Sequence, residues 1–474
     1  PSGDPVCPHL RQGRLLMEGE RVVQDALANA GAGWRVFSRA VTRGPRVLYW
    51  APKCAVTLFD QGLVSGSNFL LGVLLARWLG PEQYGVYAIT FSLFLLVAQI
   101  YQALVMDPMG ALQPALYPKS RRSYLGSVLQ IHLIAGIVFA LIAAAASRLI
   151  LSTNAAYLSG AFIGLVPALP CVLLFWLCRS ATYLTASPEV AAGASAIYCL
   201  VMIAGMAAAI AKGVLSPQIA FYMMSVAAVA ATMFLVANLK PSMALKEQPT
   251  APEVWRNHWN YGRWLLGTSL VTWLQLSGLV LLSGYVLGVK EAGVLNALAQ
   301  LHLPAAHIIM AISRLTLPHF SAMHATRGGS VVHSAINKLL RVTVSAGVLY
   351  WISIAIFHRQ LFHILYGGKF DAFSHLAPWY TFMIVLSAAT FPYELGLRAS
   401  RAPSSQFAAL FVSSIVTFVI GVPAIALYGL PGVIGTIMSR DLLLLVLMAR
   451  RCSRRLQQAE MTNDLSATSS SAAS

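Results

Sequence analysis

Charged residues are scarce in this chain of 474 residues: they make up 10% of it, and only 16 residues are acidic. Soluble domains usually carry about 25% charged residues, so the deficit excludes a soluble globular enzyme. Hydrophobic residues reach 57% and the mean hydropathy is +0.68, which excludes a disordered or fibrous protein. The composition therefore predicts an all-α integral membrane protein.

Cysteine is also sparse, and catalytic motifs are missing. The six cysteines form no CxxC pair and show no spacing typical of a disulfide framework. We therefore expect buried free thiols, no metal site and no cofactor. No DxD motif and no nucleophile elbow occurs, so the sequence predicts that the chain is not an enzyme.

Long stretches without charge mark the membrane spans. A span takes about 20 residues, and twelve such stretches can be placed along the chain. The predicted spans are 56–79, 86–106, 125–147, 155–178, 190–211, 214–237, 264–287, 292–317, 340–357, 376–399, 406–427 and 431–449. Gly429 and Pro431 predict a tight turn between the last two.

The basic residues set the predicted orientation. With the N-terminus inside, the inner segments hold 26 of the 33 Lys and Arg residues, and the outer loops hold 6. This bias is the positive-inside signal, so both termini are predicted to be cytoplasmic. The excess of positive charge is explained by topology, and we expect no nucleic-acid partner.

The predicted organisation is two halves with separate ends. We expect a basic cytoplasmic region over 1–55, an N-lobe of six spans over 56–237, and a Pro-containing cytoplasmic linker over 238–263. A C-lobe of six spans follows over 264–449. The Ser- and Ala-rich tail 450–474 is predicted to be cytoplasmic and disordered.

A short repeat supports the two halves. The pattern L-G-x4-G-V occurs at Leu79–Val86 and again at Leu287–Val294, and each copy lies in the first hairpin of its half. Six is an even number of spans, so the halves share one orientation, as in transporters with parallel repeats.

Polar residues inside the spans are costly and often functional. Span eight carries a stripe within roughly 40° of helical arc, formed by Asn296, Gln300, His307 and Arg314. When the two halves are aligned by the repeat, Gln99 of span two corresponds to a position of this stripe. In the same alignment Ser67 of span one corresponds to Gln275 of span seven. We interpret the stripe as the lining of a wet cleft between the lobes. For any single member, hydrogen-bonded packing between helices is the simpler interpretation.

The hairpin Ala76–Gly85 carries a family resemblance. Its sequence, A-R-W-L-G-P-E-Q-Y-G, strongly resembles the A-R-x-L-G-P-x-x-Y-G hairpin of Wzx-type polysaccharide flippases. These belong to the multidrug/oligosaccharidyl-lipid/polysaccharide exporter (MOP) superfamily. Leu365–Phe370 and Tyr428–Gly432 add weaker similarities. The resemblance covers roughly residues 56–450.

The resemblance implies two six-helix lobes around a central cavity, MATE/Wzx-like in fold and working by alternating access. It implies a polyprenyl-diphosphate-linked oligosaccharide as substrate, moved to the outer leaflet of a bacterial inner membrane, with membrane lipids and other polysaccharide-assembly proteins as partners. A diphosphate in hydrocarbon requires water and positive charge.

We expect Arg314, and less firmly Arg263 and Arg398, to attract this diphosphate. For Arg398, cytoplasmic topology is the simpler explanation. Hydrogen bonds to sugar or water are expected from Asn296, Gln300, His307, Gln99 and Gln275.

Coupling to a proton or sodium gradient has three titratable candidates: Asp60, Glu394 and His307. The main alternative function is a MATE-like antiporter for small cations, which favours deep acidic residues. A membrane polysaccharide-assembly enzyme and a non-transporting scaffold are weaker alternatives. For Arg440 and Asp441, which are adjacent in span twelve, we expect side chains that point apart and pair with other helices.

Overall fold

The computed structural model describes residues 47–184, 187–242, 249–400 and 403–472, and these ranges are helical with no strand. The predicted N-terminal region therefore lies largely outside the described residues. The helices are α1 Val47–Trp78, α2 Pro81–Tyr101, α3 Asp107–Leu116, α4 Arg121–Leu151, α5 Ser159–Leu184, α6 Pro188–Ala211, α7 Pro217–Leu239, α8 Ala251–Val286, α9 Val289–Gln300, α10 Leu303–Tyr366, α11 Ala377–Thr381, α12 Met383–Ala399 and α13 Pro403–Ala472.

The helices are long and apolar enough to cross a membrane repeatedly. Eight pass as candidate spans in the described part of the chain, or ten if two bent pairs each count as one span. Many large apolar side chains point outward, among them Leu141, Leu149 and Leu349, each more than half exposed. Such an apolar exterior suits lipid and would be unfavourable in water. The chain is a multi-pass membrane protein, and the count of twelve stays a prediction.

Helix ends differ from the predicted spans, most clearly in three places along the middle of the chain. The helix α8 begins at Ala251, inside the predicted linker. The helix α10 runs through 318–339, where an inner connection was predicted. The helix of predicted span two, α2, continues through a π-helical turn, Gln102–Met106, into α3. Charged residues mark the point where a helix leaves the hydrocarbon, but they do not end the helix, because Lys, Arg and Glu are good helix formers in water.

The C-terminal end shows the same effect. The predicted turn at Gly429 is present as a break with φ +62 inside α13. Beyond it the helix continues to Ala472, in the region where the sequence predicts a disordered tail from 450. Arg, Gln, Leu and Ala dominate residues 449–459, and all favour helix.

The two repeat motifs pack directly against each other. Gly85 lies against the main-chain carbonyl of Val289, and Gly293 lies against that of Pro81. A Cβ atom at either glycine would collide with backbone, so only glycine permits this approach of α2 and α9. The contact joins the first hairpins of the two lobes at the end predicted to face outward. The repeat is therefore a structural element that brings the lobes together.

Two cations close the same end. The Arg77 guanidinium, near the end of α1, donates a hydrogen bond to the carbonyl of Ile364 near the end of α10. In return Lys369 Nζ donates to the carbonyl of Trp78, 2.6 Å away. Positive charge is favourable at the C-terminal end of a helix. Each lobe thus supplies a cation to a helix end of the other, and we call this pair the clasp.

Gly85→Ala and Gly293→Ala are each expected to lower the free energy of unfolding by about 1–3 kcal/mol, because the new methyl group meets backbone that cannot rotate away. Thermal unfolding of the purified protein in detergent measures the loss. Gly80→Ala is the control, since Gly80 has φ −75 and a Cβ there meets no atom within 4 Å. Equal stability of all three variants would contradict the close crossing.

Loss of the clasp is expected to open the outward-predicted end. In the double variant Arg77→Ala and Lys369→Ala, each lost contact is worth about 0.3–1 kcal/mol, so the open population should rise about two- to fivefold per contact. Labelling of Leu79→Cys by an impermeant thiol reagent, in a background without the six native cysteines, reports the opening, since Leu79 is 2% exposed. Arg359→Ala, on the same predicted face, is the control, and unchanged labelling of the double variant would refute the clasp.

Candidate functional site: the seam between the lobes and its buried charges

The polar stripe of the sequence meets the seam between the lobes at Gln300. Gln300 Nε2 donates to the Tyr84 hydroxyl of α2 at 3.3 Å, and the same amide packs against Gly72 of α1. Asn296 lies within hydrogen-bonding reach of that hydroxyl. Gln300 Oε1 is buried and has no hydrogen-bond partner among the described residues. The wet cleft along the stripe stays a prediction.

The helix α8 forms the second contact across the seam. Trp273 Nε1 donates to the Ser92 carbonyl at 2.8 Å, and Gly262 lies against the carbonyl of Ala103. Small residues let helix backbones approach closely in a membrane bundle. Both contacts are to α2 and its π-helical extension, so α8 of the C-lobe runs beside the N-lobe.

Asp60 is the centre of a buried cluster in the N-lobe. It is 0% exposed, and Arg179 of α5 holds both carboxylate oxygens, with Nε at 3.1 Å from Oδ1 and Nη2 at 2.5 Å from Oδ2. The hydroxyls of Tyr183 and Ser195 also donate to the carboxylate. Tyr183 follows Arg179 by one helical turn, so both face α1. The cluster ties α1, α5 and α6 together.

This geometry changes the expectation for Asp60. Asp60 was a candidate for ion coupling, but its oxygens are occupied by a guanidinium and two hydroxyls. Arg179, which was not among the predicted site residues, is the partner of this buried acid. A buried carboxylate requires such a partner, because desolvation without one costs several kcal/mol.

Gln275 serves as a packing residue in the C-lobe. Its Nε2 approaches three acceptors on α13: the Leu410 carbonyl at 2.9 Å and the hydroxyls of Ser413 and Ser414 at 3.0 and 2.8 Å. The main-chain carbonyl of Gln275 accepts from Arg440 Nη1 at 2.6 Å. Hydrogen bonds of this kind join helices in a membrane protein.

Arg440 and Asp441 pair with each other, so the expectation that they point apart was wrong, but the expected contact with another helix is present for Arg440, which donates to the Gln275 carbonyl of α8. Arg440 Nε lies 2.8 Å from Asp441 Oδ1, and both residues are buried. The long arginine side chain bends back along the helix, which a simple count of degrees per residue ignores. Asp441 Oδ2 and His302 Nδ1 are buried and have no hydrogen-bond partner among the described residues.

Arg398 and Glu394 also pair, one helical turn apart on α12. Arg398 Nη2 lies 2.5 Å from Glu394 Oε1, and Gln406 Nε2 donates to the same oxygen at 2.6 Å. The arginine is 43% exposed, so the pair is partly solvated. Arg398 was expected to attract a diphosphate and Glu394 to couple an ion. In the structure the two side chains neutralise each other.

The remaining predicted residues fall into two groups. Arg263 is exposed on α8, its guanidinium 5.3 Å from the centre of the Trp264 ring, and it forms no ion pair with any described residue. Gln99 and His307 are half-buried. The backbone of Arg314 belongs to α10, but its side chain lies outside the described part.

Sequence reasoning missed Tyr183 and Ser195 as partners of Asp60. The signal available was Asp60 itself, an acid in an apolar span that must find a partner. Arg179 is the basic residue that ends the longest uncharged stretch of the N-lobe, which could have suggested it. The hydroxyls carry no such signal, because Ser and Tyr are common in these helices.

Asp60→Ala is expected to lower the free energy of unfolding by about 3–5 kcal/mol, because Arg179 keeps a buried charge without its partner. The double variant Asp60→Leu and Arg179→Met removes both charges and should recover most of that loss. Thermal unfolding in detergent compares the two, with Glu394→Gln as the control in a solvated pair. A double variant as unstable as Asp60→Ala would contradict this account.

Comparisons with known proteins agree with the fold. The sequence family described as "Polysaccharide biosynthesis protein" matches residues 74–375. An inward-facing multidrug resistance MATE family transporter of the MOP superfamily superposes with a TM-score of 0.74, at 13% identity, over 85% of this chain and 96% of that one. The lipid II flippase MurJ, in an inward closed conformation, superposes with a TM-score of 0.68, at 13% identity, over 87% and 90%. No curated protein sequence matches.

An outward-facing conformation of the MATE transporter gives a lower TM-score, 0.63, at 13% identity and over 86% of this chain and 95% of that one. These identities show a shared fold. The family and the structural neighbours are transporters and flippases, not enzymes. The match to the family covers more than half of the sequence, and it confirms the family resemblance seen in the hairpin Ala76–Gly85. The chain belongs to the polysaccharide biosynthesis protein family and has the fold of MOP-superfamily transporters.

Proposed function

We propose that the chain flips a polyprenyl-diphosphate-linked oligosaccharide from the cytoplasmic to the outer leaflet of a bacterial inner membrane, for cell-surface polysaccharide synthesis. The observation that carries the proposal is the state of the two fully buried acids. Among the described residues, Asp60 and Asp441 are the acids classed as buried, and each is ion-paired with an arginine. Both of these buried carboxylates are already neutralised, so neither is free to bind an organic cation.

The positive charges support an anionic substrate. Arg263 lies on α8, which crosses the seam, and it has no acidic partner among the described residues. Arg314 follows Asn296, Gln300 and His307 along predicted span eight. The structure divides this span into α9 and α10 with a bend of 46° between them, so the four residues do not share one straight helix face as predicted. We propose Arg314 and Arg263 as the residues that attract the diphosphate, since guanidinium forks match its oxygens.

The polar residues divide between substrate and structure. Asn296 and Gln300, beside Tyr84, and the half-buried Gln99 and His307 are proposed to hydrogen-bond sugar or water. Gln275 is left to the structure, because its amide already meets three acceptors. Arg398 is likewise left out, because Glu394 neutralises it.

Alternating access is the proposed mechanism. The glycine crossing and the clasp close the end predicted to face outward, and the TM-score is higher with an inward-facing relative than with its outward-facing conformation. Transport in this scheme requires both contacts to part while α8 and α2 keep the lobes joined. Of the three titratable candidates, His307 is the proposed site for coupling to a proton or sodium gradient, since Glu394 is paired with Arg398, and polysaccharide-assembly proteins are the proposed receivers of the product.

The test is complementation of a strain blocked in polysaccharide export, with a leaflet-resolved assay of the lipid-linked glycan. The wild-type chain should restore outer-leaflet glycan. Arg314→Ala and Arg263→Ala should each reduce the flipping rate about ten- to hundredfold, the worth of one lost hydrogen bond to a charged group. Lysine at either site should retain part of the rate.

Arg148→Ala, an exposed arginine of a predicted outer loop, is the control at matched expression. Normal export by Arg314→Ala at normal expression would remove that residue from the site. Failure of the wild type to restore export, together with energy-dependent efflux of cationic dyes, would replace the proposal with the MATE-like antiporter.

A further inference from the structure

A basic cavity lies at one end of the N-lobe, apart from the seam. It has a volume of about 600 Å³ and opens between the turn that precedes α4 and the end of α7. Its lining is mostly polar. The lining residues are Pro118, Lys119, Ser120, Arg121, Arg122, Ser123, Asn238 and Leu239. This is the end of the bundle predicted to face the cytoplasm.

Three cations crowd this cavity without an acid. Lys119, Arg121 and Arg122 lie within four residues, and none of them forms an ion pair with any residue of the described ranges. Arg121 is half-buried, so water screens its repulsion from Arg122 incompletely. Positive charge is unfavourable beside the positive end of a helix dipole, and an anion in the cavity would offset it.

The backbone at the cavity also favours an anion. The first N–H groups of a helix lack partners within the helix, and the positive end of its dipole lies there. At the start of α4 the Ser120 side chain caps no N–H group, and the first turn carries no acidic residue. The first turn instead presents Arg121 and Arg122, which is the opposite of what the dipole prefers. The N–H groups and the two guanidinium groups together suit phosphate.

The space below the cavity limits what can bind. Leu239 also borders the apolar packing between α4, α5 and α7, where the remaining free volume is about 10 Å³. That volume is the size of a single water molecule. The site therefore accepts a head group while the chains of a lipid stay in the surrounding bilayer.

We propose that Lys119, Arg121, Arg122 and the N-terminus of α4 bind the phosphate group of a membrane lipid. Two lipids carry this chemistry: an anionic phospholipid and the diphosphate-linked glycan lipid. The proposal does not depend on the proposed function, because either lipid fits the same oxygens.

The site adjoins the connection between the lobes. The main-chain carbonyl of Arg122 accepts from Ser242 N at 3.0 Å, and the Ser127 hydroxyl donates to the Pro249 carbonyl at 2.6 Å. Residues on both sides of the connection are thus fixed to the first turns of α4. A bound phosphate stabilises the same turns, so it strengthens the attachment of the connection to the N-lobe.

The test measures lipid binding to the purified full chain in a neutral detergent by native mass spectrometry. Phosphatidic acid, a polyprenyl diphosphate and phosphatidylcholine are titrated separately. One basic residue near a lipid surface is worth about fivefold in affinity, so the triple variant Lys119→Gln, Arg121→Gln and Arg122→Gln should bind phosphatidic acid about a hundredfold more weakly. The wild type should bind phosphatidylcholine weakly.

Two further variants make the result specific. Arg450→Gln, Arg454→Gln and Arg455→Gln together remove the same charge from the C-lobe at the same predicted face, and this variant should bind as the wild type does. Lys119→Arg, Arg121→Lys and Arg122→Lys keep the charge and should bind within about threefold, which separates binding from folding.

The outcomes decide both the site and its ligand. The proposal is overturned if both glutamine triple variants lose the same affinity for phosphatidic acid, because the lipid is then attracted to basic flanks in general. It is also overturned if the triple variant at Lys119, Arg121 and Arg122 binds as the wild type does. Loss confined to the first triple supports it. Tighter binding of phosphatidic acid then assigns the site to bulk phospholipid, and tighter binding of the polyprenyl diphosphate assigns it to the transported lipid. Neither result depends on whether export is restored in cells.

Discussion

The structure depends on one constraint: a charge inside an apolar helix bundle must meet an opposite charge or a hydrogen-bond partner. Asp60 lies among Arg179 and two hydroxyls, and Asp441 lies beside Arg440. Each pair fixes helices that are distant in the sequence. The N-lobe cluster joins α1 to α5 and α6, and Arg440 joins α13 to α8 through the Gln275 carbonyl. These pairs neutralise Asp60 and Asp441 within their own lobes. Among the described residues, Arg263 at the seam and the three basic residues Lys119, Arg121 and Arg122 at the start of α4 have no acidic partner.

A second constraint acts between the lobes. Membrane helices gain little from hydrophobic burial against each other, so contact depends on close backbone approach and on hydrogen bonds. At the predicted outer end, Gly85 and Gly293 allow the close backbone approach. The clasp, formed by Arg77 and Lys369, supplies hydrogen bonds between the lobes. These contacts are few and separable, unlike a packed core. Such a seam is stable when closed and can open without unfolding either lobe, which is what alternating access requires.

The sequence was informative wherever a residue type has one physical meaning. Uncharged windows identified the apolar helices, and Gly429 identified the break in α13. The repeat placed Gly85 and Gly293 at equivalent positions, and the stripe placed Gln300 at the seam beside Tyr84. Helix ends were less predictable, as in α8 and α10, because charged residues extend a helix beyond the membrane as readily as they end it. The family followed from one hairpin, in which Gly85 and the main-chain carbonyl of Pro81 lie at the close crossing between the lobes.

Partners were decided only by the tertiary structure. The positions of Glu394, Gln275 and Arg398 suggested ligands, yet Glu394 and Arg398 neutralise each other and Gln275 ties α8 to α13. Arg440 forms an ion pair with its neighbour Asp441, because a flexible side chain can bend along its own helix. The sequence by itself determined the membrane class, the apolar segments, the repeat and the family, because these follow from residue types and their spacing. Which charges are neutralised and which stay available depends on distances between helices far apart in the chain, and only the folded structure sets those distances.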